Sequence, residues 1–305
     1  MDCEDAFKNK LAEFLEGDKF IFHAPMCDHT TFKIGGAADV LIFPSTIEEV
    51  ADIIKLAAEF NLPCTILGNG SNVLILDKGI RGVVIKFSDK FFGTIRADGE
   101  KIIAGAGALL KDVSNFAAEK SLSGLEFAVG IPGSIGGAIY MNAGAYGGEM
   151  KNVVAKVTAV SKSAEILTFN ADSLNLGYRQ SIFQQNGCAI CEVELNLTHG
   201  NFDEIKNQMA EFTRKRESKQ PLDFPSAGST FKRPQGYFAG TLIDKTGLKG
   251  LKVGGAMVSE KHAGFVVNAG GATAEDVLNL IAEVRRRVNE AHGVNLTPEV
   301  RIIGE

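Results

Sequence analysis

The sequence predicts an α+β protein with more than one domain. Strand-like apolar runs follow one another between residues 153 and 198, while helical periodicity is confined to separate segments. The length of 305 residues exceeds the roughly 150 residues of a common domain, which favours two domains or three. Apolar residues make up 45% of the chain and charged residues 23%, the proportions of an ordinary soluble globular protein.

Helices are predicted where apolar residues recur at helical spacing behind a capping signal. Ser45 with Glu48 three residues later is the pattern of a capping box, and Pro63 stops the helix that follows. In the helix predicted last along the chain, Thr273 is the expected N-cap and Gly293 the C-terminal stop. The other two helices are predicted over residues 109–117 and 203–218.

Strands are predicted from short β-rich runs bounded by turn residues. The stretch "CTILGNGSNVLIL" is typical of a strand, a tight turn and a second strand. Three alternating segments, "VVAKVTAVS", "AEILTFN" and "AICEVELNLT", indicate antiparallel strands of a mixed sheet, and "EVRIIG" indicates a final short strand. After the helix of residues 203–218 the sequence becomes rich in loop-forming residues. This change predicts a domain boundary near residue 218.

Charge and composition exclude several classes of function. The net charge is −5. The basic cluster Arg285–Arg287 lies in a helical pattern, where a solvent-exposed helix face is expected. Binding to nucleic acid is therefore not predicted. The histidines lack metal-ligand spacing. The lone CxxC of Cys188 and Cys191 has strand-like flanks, which favours a structural role. No metal site is predicted.

The N-terminal twenty residues are polar and acidic, without the basic and apolar regions of a signal peptide. The odd count of five cysteines fits a reduced compartment. These observations predict a cytoplasmic protein.

An uncharged run spans residues 127–148, "FAVGIPGSIGGAIYMNAGAYGG", and has the length of a membrane span. Its seven glycines and Pro132 argue against a membrane helix, because glycine and proline are poor helix formers. No association with a membrane is predicted. The alternatives are a buried strand or a backbone exposed to a ligand.

Turns rich in glycine, serine and asparagine occur at residues 68–72, 105–107 and 130–137. Such turns can form nests, which are concave runs of backbone N–H groups that bind phosphate oxygens. The third glycine of the dinucleotide fingerprint is missing and no P-loop pattern occurs, so neither motif is predicted. No lysine lies in these turns, so dipoles would meet the phosphate charge. The alternative is a set of ordinary tight β-turns.

Three isolated polar residues, Arg179, Ser229 and Glu299, stand in apolar or small-residue surroundings. Each has a simple structural interpretation as a salt-bridged arginine, a turn serine or a solvent-facing glutamate. Their separation in sequence cannot by itself bring them together.

Several stretches together resemble the UDP-N-acetylenolpyruvoylglucosamine reductase family in its shorter, type II form. The matching segments, from about residue 29 onward, are "HTTFKIGGAADVLIFP", "ILGNGSNVLI", "GLEFAVGIPGSIGGAIYMNAGAYGGEM", "YRQSIF", "PSAGSTFKRP", "AGTLIDKTGLKGLKVGGAMVSEKHAGFVVN" and "GVNLTPEVRIIG". The resemblance implies a two-lobed FAD-binding domain of the PCMH type (shared with vanillyl-alcohol oxidase) followed by a smaller α+β substrate-binding domain. The implied division is 1–88 for the first lobe, 89–218 for the second and 219–295 for the substrate domain, with residues 296–305 returning to the first lobe.

The resemblance also implies site residues. The family's catalytic residues fall on Arg179, Ser229 and Glu299, and its substrate contacts on Tyr178, Lys219 and Lys232. Non-covalent FAD would be held by Gly68, Asn69, Gly70, Ser71, Asn72, Val73, Gly107, Ile131, Pro132, Gly133, Ser134, Ile135, Gly136, Gly137, Asn142, Gly144, Ala145, Tyr146 and Gly147.

The implied activity is reduction of the enolpyruvyl group of UDP-N-acetylenolpyruvoylglucosamine by NADPH through FAD, in peptidoglycan synthesis. Arg179 is suited to the negative charge that develops on the substrate, a protonated Glu299 could donate a hydrogen bond to it, and Ser229 could protonate carbon C2. The substrate and NADPH are the expected small-molecule partners, and a monomer is expected. Two alternatives are an FAD-dependent oxidase of the same superfamily and a non-catalytic nucleotide-binding module. Many such oxidases tether flavin through a histidine in a glycine-rich turn, and none of these turns contains a histidine.

Overall fold

The computed structural model describes residues 3–305. Its helices are α1 (Cys3–Leu11), α2 (Ile47–Glu59), α3 (Asp89–Phe92), α4 (Leu110–Glu119), α5 (Ile135–Tyr140), α6 (Phe183–Asn186), α7 (Phe202–Lys219), α8 (Ala239–Lys245) and α9 (Ala274–His292).

The first nine strands along the chain are β1 (Phe20–Pro25), β2 (Ala37–Ile42), β3 (Cys64–Leu67), β4 (Val73–Ile75), β5 (Ile80–Lys86), β6 (Ile95–Asp98), β7 (Lys101–Gly105), β8 (Leu122–Ser123) and β9 (Gly144–Ala145). The remaining strands are β10 (Gly148–Glu149), β11 (Val154–Val160), β12 (Ile166–Asn170), β13 (Ala189–Asn196), β14 (Thr198–His199), β15 (Lys252–Val253), β16 (Ala256–Val258), β17 (Val266–Asn268) and β18 (Arg301–Ile303).

The chain forms two compact units, each made of separate stretches of sequence. Unit 1 comprises residues 1–22, 40–69 and 82–214, and unit 2 comprises residues 23–39, 70–81 and 215–305. Each unit has a hydrophobic core of its own. The predicted boundary near residue 218 lies close to the last of these divisions, and the division of the FAD-binding part into lobes 1–88 and 89–218 stays a prediction.

Unit 1 contains a five-stranded sheet of order β12-β11-β13-β7-β6. Every neighbouring pair in it is antiparallel, so the prediction of antiparallel strands is confirmed and that of a mixed sheet is wrong here. A second sheet has the order β1-β2-β5-β3, in which β3 pairs in parallel with β5. The crossover that this parallel pairing needs is formed by residues 68–79, which include β4.

The start of α2 differs by one residue from the predicted frame. Thr46 is the N-cap and its hydroxyl accepts from the backbone N–H of Glu49, while the Glu49 carboxylate accepts from the N–H of Ser45 at 2.7 Å. The capping pair is therefore Thr46 with Glu49 and not Ser45 with Glu48. The sequence "STIEE" offers both frames, and Glu49 is further held by Lys19 at 2.7 Å.

Unit 2 combines the three-stranded sheet β15-β16-β17 with the parallel pair β4 and β18. The predictions for α9 are confirmed: Thr273 caps it in a capping box with Asp276, and Gly293 ends it at φ +67°. One face of α9 is buried in the core of this unit, and its residues are Val277, Leu280, Ile281, Val284 and Val288.

The uncharged glycine-rich run does not form one long element. It contains the short helix α5, whose N-cap is Ser134, and the hairpin of β9 and β10. In the part of the chain that the structure covers, no helix combines the length and apolarity needed to cross a membrane.

Two structural interpretations made from the sequence are confirmed. Cys188 and Cys191 are both buried, and burial raises the pKa of the Cys191 thiol to about 12, as expected of an unreactive core cysteine. The arginine cluster lies on the surface of α9, where Arg286 pairs with Glu283 and Glu290 at 2.8 Å.

Candidate active site

The turn that follows β3 is fastened to the glycine-rich run within unit 1. The side-chain amide of Asn69 donates to the carbonyl oxygen of Pro132 at 2.5 Å. A Cβ on Gly68 would lie 2.5 Å from Ser134 Oγ, so any larger residue here would require the Ser134 hydroxyl to move. Two turns that the sequence predicted separately as nests therefore meet at these residues.

The rest of this turn, Gly70 to Asn72, belongs to unit 2. Gly70 has φ +68°, and its carbonyl oxygen accepts from the backbone N–H of Thr31 at 3.2 Å. Within residues 3–305, the N–H groups of residues 68–72 donate to no protein acceptor. Because backbone N–H groups inside proteins are nearly always paired, this turn has the donors that a phosphate ligand needs.

The turn at residues 105–107 does not form the nest that the sequence predicted. Its N–H groups are used inside the protein: Gly105 donates to Thr94, Ala106 to Cys191 and Gly107 to Phe92. A Cβ on Gly107 would lie 2.3 Å from the carbonyl oxygen of Ser88, so close packing explains this glycine. A contact between Gly107 and FAD stays a prediction.

The turn at residues 130–137 is a nest only in part. The N–H groups of Ile135 and Gly136 donate to the carbonyl oxygens of Ala108 and Ala106 at 2.8 and 3.0 Å, and Gly137 donates to Ser134 Oγ at 3.4 Å. The N–H groups of Gly133 and Ser134 have no acceptor in the described part of the chain. Ile131 and Pro132 precede them at the surface of unit 1.

Lys86 is a residue near this site that sequence reasoning missed. It is the last residue of β5 and is buried, and its Nζ donates to the carbonyl oxygen of Gly68 at 2.9 Å. Burial lowers the pKa of this lysine to about 8. The signal was a lysine inside the otherwise apolar "GVVIKF", and only the parallel pairing of β3 with β5 shows that it reaches the turn.

The segment predicted to lie along the cofactor forms the hairpin of β9 and β10. Gly144 and Ala145 pair with Glu149 and Gly148, which leaves Tyr146 and Gly147 at the turn. The Tyr146 ring stacks on Phe212 of α7, with 4.5 Å between ring centroids. The Asn142 side chain is buried and bonded to protein groups. FAD contacts by these residues stay predictions.

Two of the three predicted catalytic residues are brought together within unit 2. Residues 230–232 and 297–299 pair as antiparallel backbone: Glu299 N–H donates to Thr230 O and Lys232 N–H donates to Thr297 O, both at 2.8 Å. Ser229 directly precedes this pairing, in which Thr230 stands opposite Glu299. Ser229 is exposed and Glu299 is partly buried.

Glu299 is also attached to the end of the glycine turn. The Asn72 side-chain amide donates to the Glu299 carbonyl oxygen at 3.4 Å, and Arg301 N–H donates to the Asn72 carbonyl oxygen at 3.0 Å. Val73, the next residue, is buried and pairs with Arg301 at the start of β4. The last strand thus pairs beside the end of the glycine turn within unit 2, and the predicted return of residues 296–305 to a first lobe of residues 1–88 stays a prediction.

Arg179, the third predicted catalytic residue, lies in unit 1. It occupies a tight turn in which Gly177 and Gln180 exchange backbone hydrogen bonds at 3.1 and 3.2 Å. Its φ of +55° is uncommon for a residue with a side chain. The exposed Tyr178 precedes it, with its ring centroid 5.4 Å from the Arg179 guanidinium carbon.

The remaining predicted substrate contacts lie in unit 2. Lys219 is the exposed last residue of α7, and Lys232 is partly buried beside the exposed Arg233. The Arg233 guanidinium carbon lies 4.0 Å from the centroid of the exposed Phe238 ring. Among the described residues, no group of three or more His, Cys, Asp or Glu side chains is arranged to hold a metal ion.

Comparisons with known proteins extend these observations. Residues 38–170 match the family model of an FAD binding domain, and residues 220–303 match the C-terminal domain of UDP-N-acetylenolpyruvoylglucosamine reductase. Reductases of that name from Clostridium perfringens and Clostridium beijerinckii are 51% and 50% identical to this chain; each match covers 98% of it, and 97% and 98% of the relatives.

Solved structures give the same result. The crystal structure of UDP-N-acetylenolpyruvylglucosamine reductase (MurB) from Thermus caldophilus has a TM-score of 0.80 and 38% identity, covering 93% of this chain and 98% of that one. The structure of p-cresol methylhydroxylase has a TM-score of 0.58 at 11% identity, covers 95% of this chain and 88% of that one, and shows the fold alone.

The FAD-binding family model and the similar reductases identify a flavoprotein whose fold is of the PCMH type, as the sequence predicted. More particularly, the chain belongs to the UDP-N-acetylenolpyruvoylglucosamine reductase family. The predictions of the family, the α+β fold class and the FAD cofactor are confirmed.

Proposed function

We propose that this protein reduces the enolpyruvyl group of UDP-N-acetylenolpyruvoylglucosamine to give UDP-N-acetylmuramate, with NADPH as the reductant. The observation that carries the proposal is the backbone pairing of residues 230–232 with 297–299, because it brings the chain at Ser229 close to the chain at Glu299, whose carbonyl oxygen accepts from the Asn72 side chain. The proposed reduction needs a proton donor and an oxyanion partner, and these two residues have the side chains for those roles.

The residues present fit FAD. Within unit 1, the unpaired N–H groups of Gly68 and Asn69, with those of Gly133 and Ser134, offer donors for a diphosphate. Gly68 lacks a Cβ where Ser134 approaches, and Lys86 supplies a positive charge behind the same turn. When bound, FAD supplies the hydride transfer from NADPH to the substrate.

The roles of the protein side chains follow from charge and proton balance. Hydride addition at C3 of the enolpyruvyl group leaves negative charge that spreads from C2 into the carboxylate. Arg179 would bind that carboxylate as a permanent cation, and the carboxyl group of Glu299 would be the hydrogen-bond partner of the developing oxyanion. The Ser229 hydroxyl would give its proton to C2 and recover one from water.

An anaerobic assay of the two half-reactions tests this function. We expect NADPH to bleach the yellow flavin of the purified protein, and the enolpyruvyl substrate to restore the colour without oxygen. A flavin that is reoxidised only by oxygen would support the oxidase alternative, and a protein that cannot be loaded with FAD would leave only the nucleotide-binding module. The monomeric state and the cytoplasmic location stay predictions.

A further inference from the structure

The backbone of Arg179 has a left-handed conformation, which residues with a side chain rarely adopt. A non-glycine residue in the left-handed region, here at φ +55°, is disfavoured because its Cβ crowds the following carbonyl oxygen. Such a conformation persists only where the surroundings determine it, and it is common at functional sites. The neighbouring contacts should therefore show what holds it.

The side chain of Gln184 reaches the backbone of Arg179. Its amide nitrogen Nε2 donates to the carbonyl oxygen of Arg179 at 3.0 Å and to that of Tyr140 at 2.9 Å. Ser181 Oγ donates to the same Tyr140 oxygen at 2.7 Å. Tyr140 is the last residue of α5, where backbone carbonyls lack partners within the helix.

Asn142 holds the other end of the same turn. Its Nδ2 donates to the Gly177 carbonyl oxygen at 3.0 Å and to Glu149 Oε2 at 2.8 Å, and its Oδ1 accepts from Lys151 N–H at 2.9 Å. Both amide hydrogens and the amide oxygen are therefore used inside the protein. The turn of residues 177–180 is attached to α5 and its following loop at both ends.

We propose that Gln184, with Asn142, is a positioning residue that holds Arg179 in the conformation required for reduction of the substrate. The proposal rests on the proposed function, because it takes Arg179 as the residue that meets the developing charge. It also assigns a second role to α5. The helix begins at Ser134 in the proposed diphosphate turn and ends at the carbonyl oxygen that Gln184 binds, so one short element serves both cofactor and arginine.

The chain offers a matched pair of variants for the test. Gln184 and Gln185 are adjacent in α6, and Gln185 is exposed. Gln184→Met keeps the side-chain length and removes both hydrogen bonds, while Gln185→Met makes the same chemical change on the surface. Both proteins are studied with FAD bound.

The first measurement is hydrogen exchange, which does not depend on activity. We expect the amides of Gly177 and Gln180 to exchange at least tenfold faster in Gln184→Met than in wild type, and at an unchanged rate in Gln185→Met. Equal exchange in the two variants would overturn the proposal even if the protein proved to have a different activity.

The second measurement separates the half-reactions. In Gln184→Met we expect FAD affinity and flavin reduction by NADPH to stay within about twofold of wild type, and reoxidation by the enolpyruvyl substrate to slow tenfold or more. The loss should appear in kcat more than in KM, because Arg179 would act on charge present only in the transition state. Equal damage to both half-reactions would show a general structural effect and contradict the proposal. A wild-type protein that loads FAD but does not use this substrate would instead refute the proposed function.

Discussion

Lys86 shows how one buried side chain can contribute to a site without lying in its motif. Its Nζ hydrogen bond fixes the carbonyl oxygen of Gly68. In a trans peptide the carbonyl and the following N–H point in opposite directions, so the Asn69 N–H is turned away from Lys86. The lysine thereby orients a donor of the proposed diphosphate turn and adds positive charge behind it.

The pKa of Lys86, lowered to about 8 by burial, makes stability depend on pH. Between pH 8 and the usual value of 10.5 the unfolded chain holds this proton and the folded chain does not, so the free energy of unfolding rises with pH. Over this whole pH range, Lys86 raises the free energy of unfolding by about 3 kcal/mol. In urea titrations of the FAD-free protein, we expect wild type to gain stability relative to Lys86→Met between pH 8 and 10; parallel profiles would contradict this.

Ser229→Ala tests the proposed proton donor. We expect flavin reduction by NADPH to change less than about twofold, because Ser229 has no part in that step. Reoxidation by the enolpyruvyl substrate should slow by about 10²–10⁴-fold, the range for loss of a general acid. Ser226→Ala is the matched control, since Ser226 contacts Thr31 through its backbone carbonyl. A rapid second half-reaction in Ser229→Ala would assign the proton to another group.

The sequence indicates which residues are candidates for the site better than it indicates which of them are in contact. The quoted motifs placed Ser229 and Glu299, but their proximity depends on backbone pairing across about 70 residues, which spacing does not show. Lys86 was missed because its contact with Gly68 arises between parallel strands. The alternation of a strand says nothing about its neighbour in the sheet.

The helix α5 contains two adjacent glycines, Gly136 and Gly137, whose surroundings differ. A Cβ on Gly136 would lie 2.8 Å from the Ala106 Cβ, whereas a Cβ on Gly137 would meet only Ser134 Oγ at 3.5 Å. Gly136 thus permits close packing on the turn of residues 105–107, and Gly137 has space. The sequence showed a pair of glycines without distinguishing them.

Alanine at these two positions therefore should have opposite effects on stability. We expect Gly136→Ala to lower the free energy of unfolding by about 1–3 kcal/mol, because the packed backbone of Ala106 must move. Gly137→Ala should leave it unchanged or raise it by up to about 1 kcal/mol through helix propensity. Thermal unfolding of the FAD-free variants measures both, and equal shifts would show that packing against Ala106 is not the cause.

Elements were predicted best where side-chain period and caps agree, as in α9 with Thr273 and Gly293. They were predicted least well where a ligand turn and a packing turn share a composition. The glycines at 68–72 leave their N–H groups without protein acceptors, and those at 105–107 do not. Composition cannot separate these cases, because the difference lies in which carbonyl groups surround the turn.

At the level of the whole molecule, FAD should stabilise the folded chain by mass action. A ligand at about 100 times its Kd adds about 2.7 kcal/mol to the free energy of unfolding when it binds only the folded state. We expect the Tm to rise steadily with FAD concentration, and riboflavin, which lacks phosphates, to produce a smaller rise at equal concentrations. Equal shifts would indicate that the proposed diphosphate turn contributes nothing.

The pairing of β4 with β18 has a consequence for synthesis of the chain on the ribosome. The apolar strand Val73–Ile75 is fully buried in the folded protein, and its partner lies more than 200 residues later, as shown by the separation of 227 between Asn72 and Glu299. At roughly 5–20 residues per second, translation leaves this strand without its partner for about 11 to 45 s. Nascent chains thus present an unpaired apolar edge, a known origin of aggregation. The yield of active protein should therefore depend on translation speed and on chaperones that shield the edge until residue 303 has emerged.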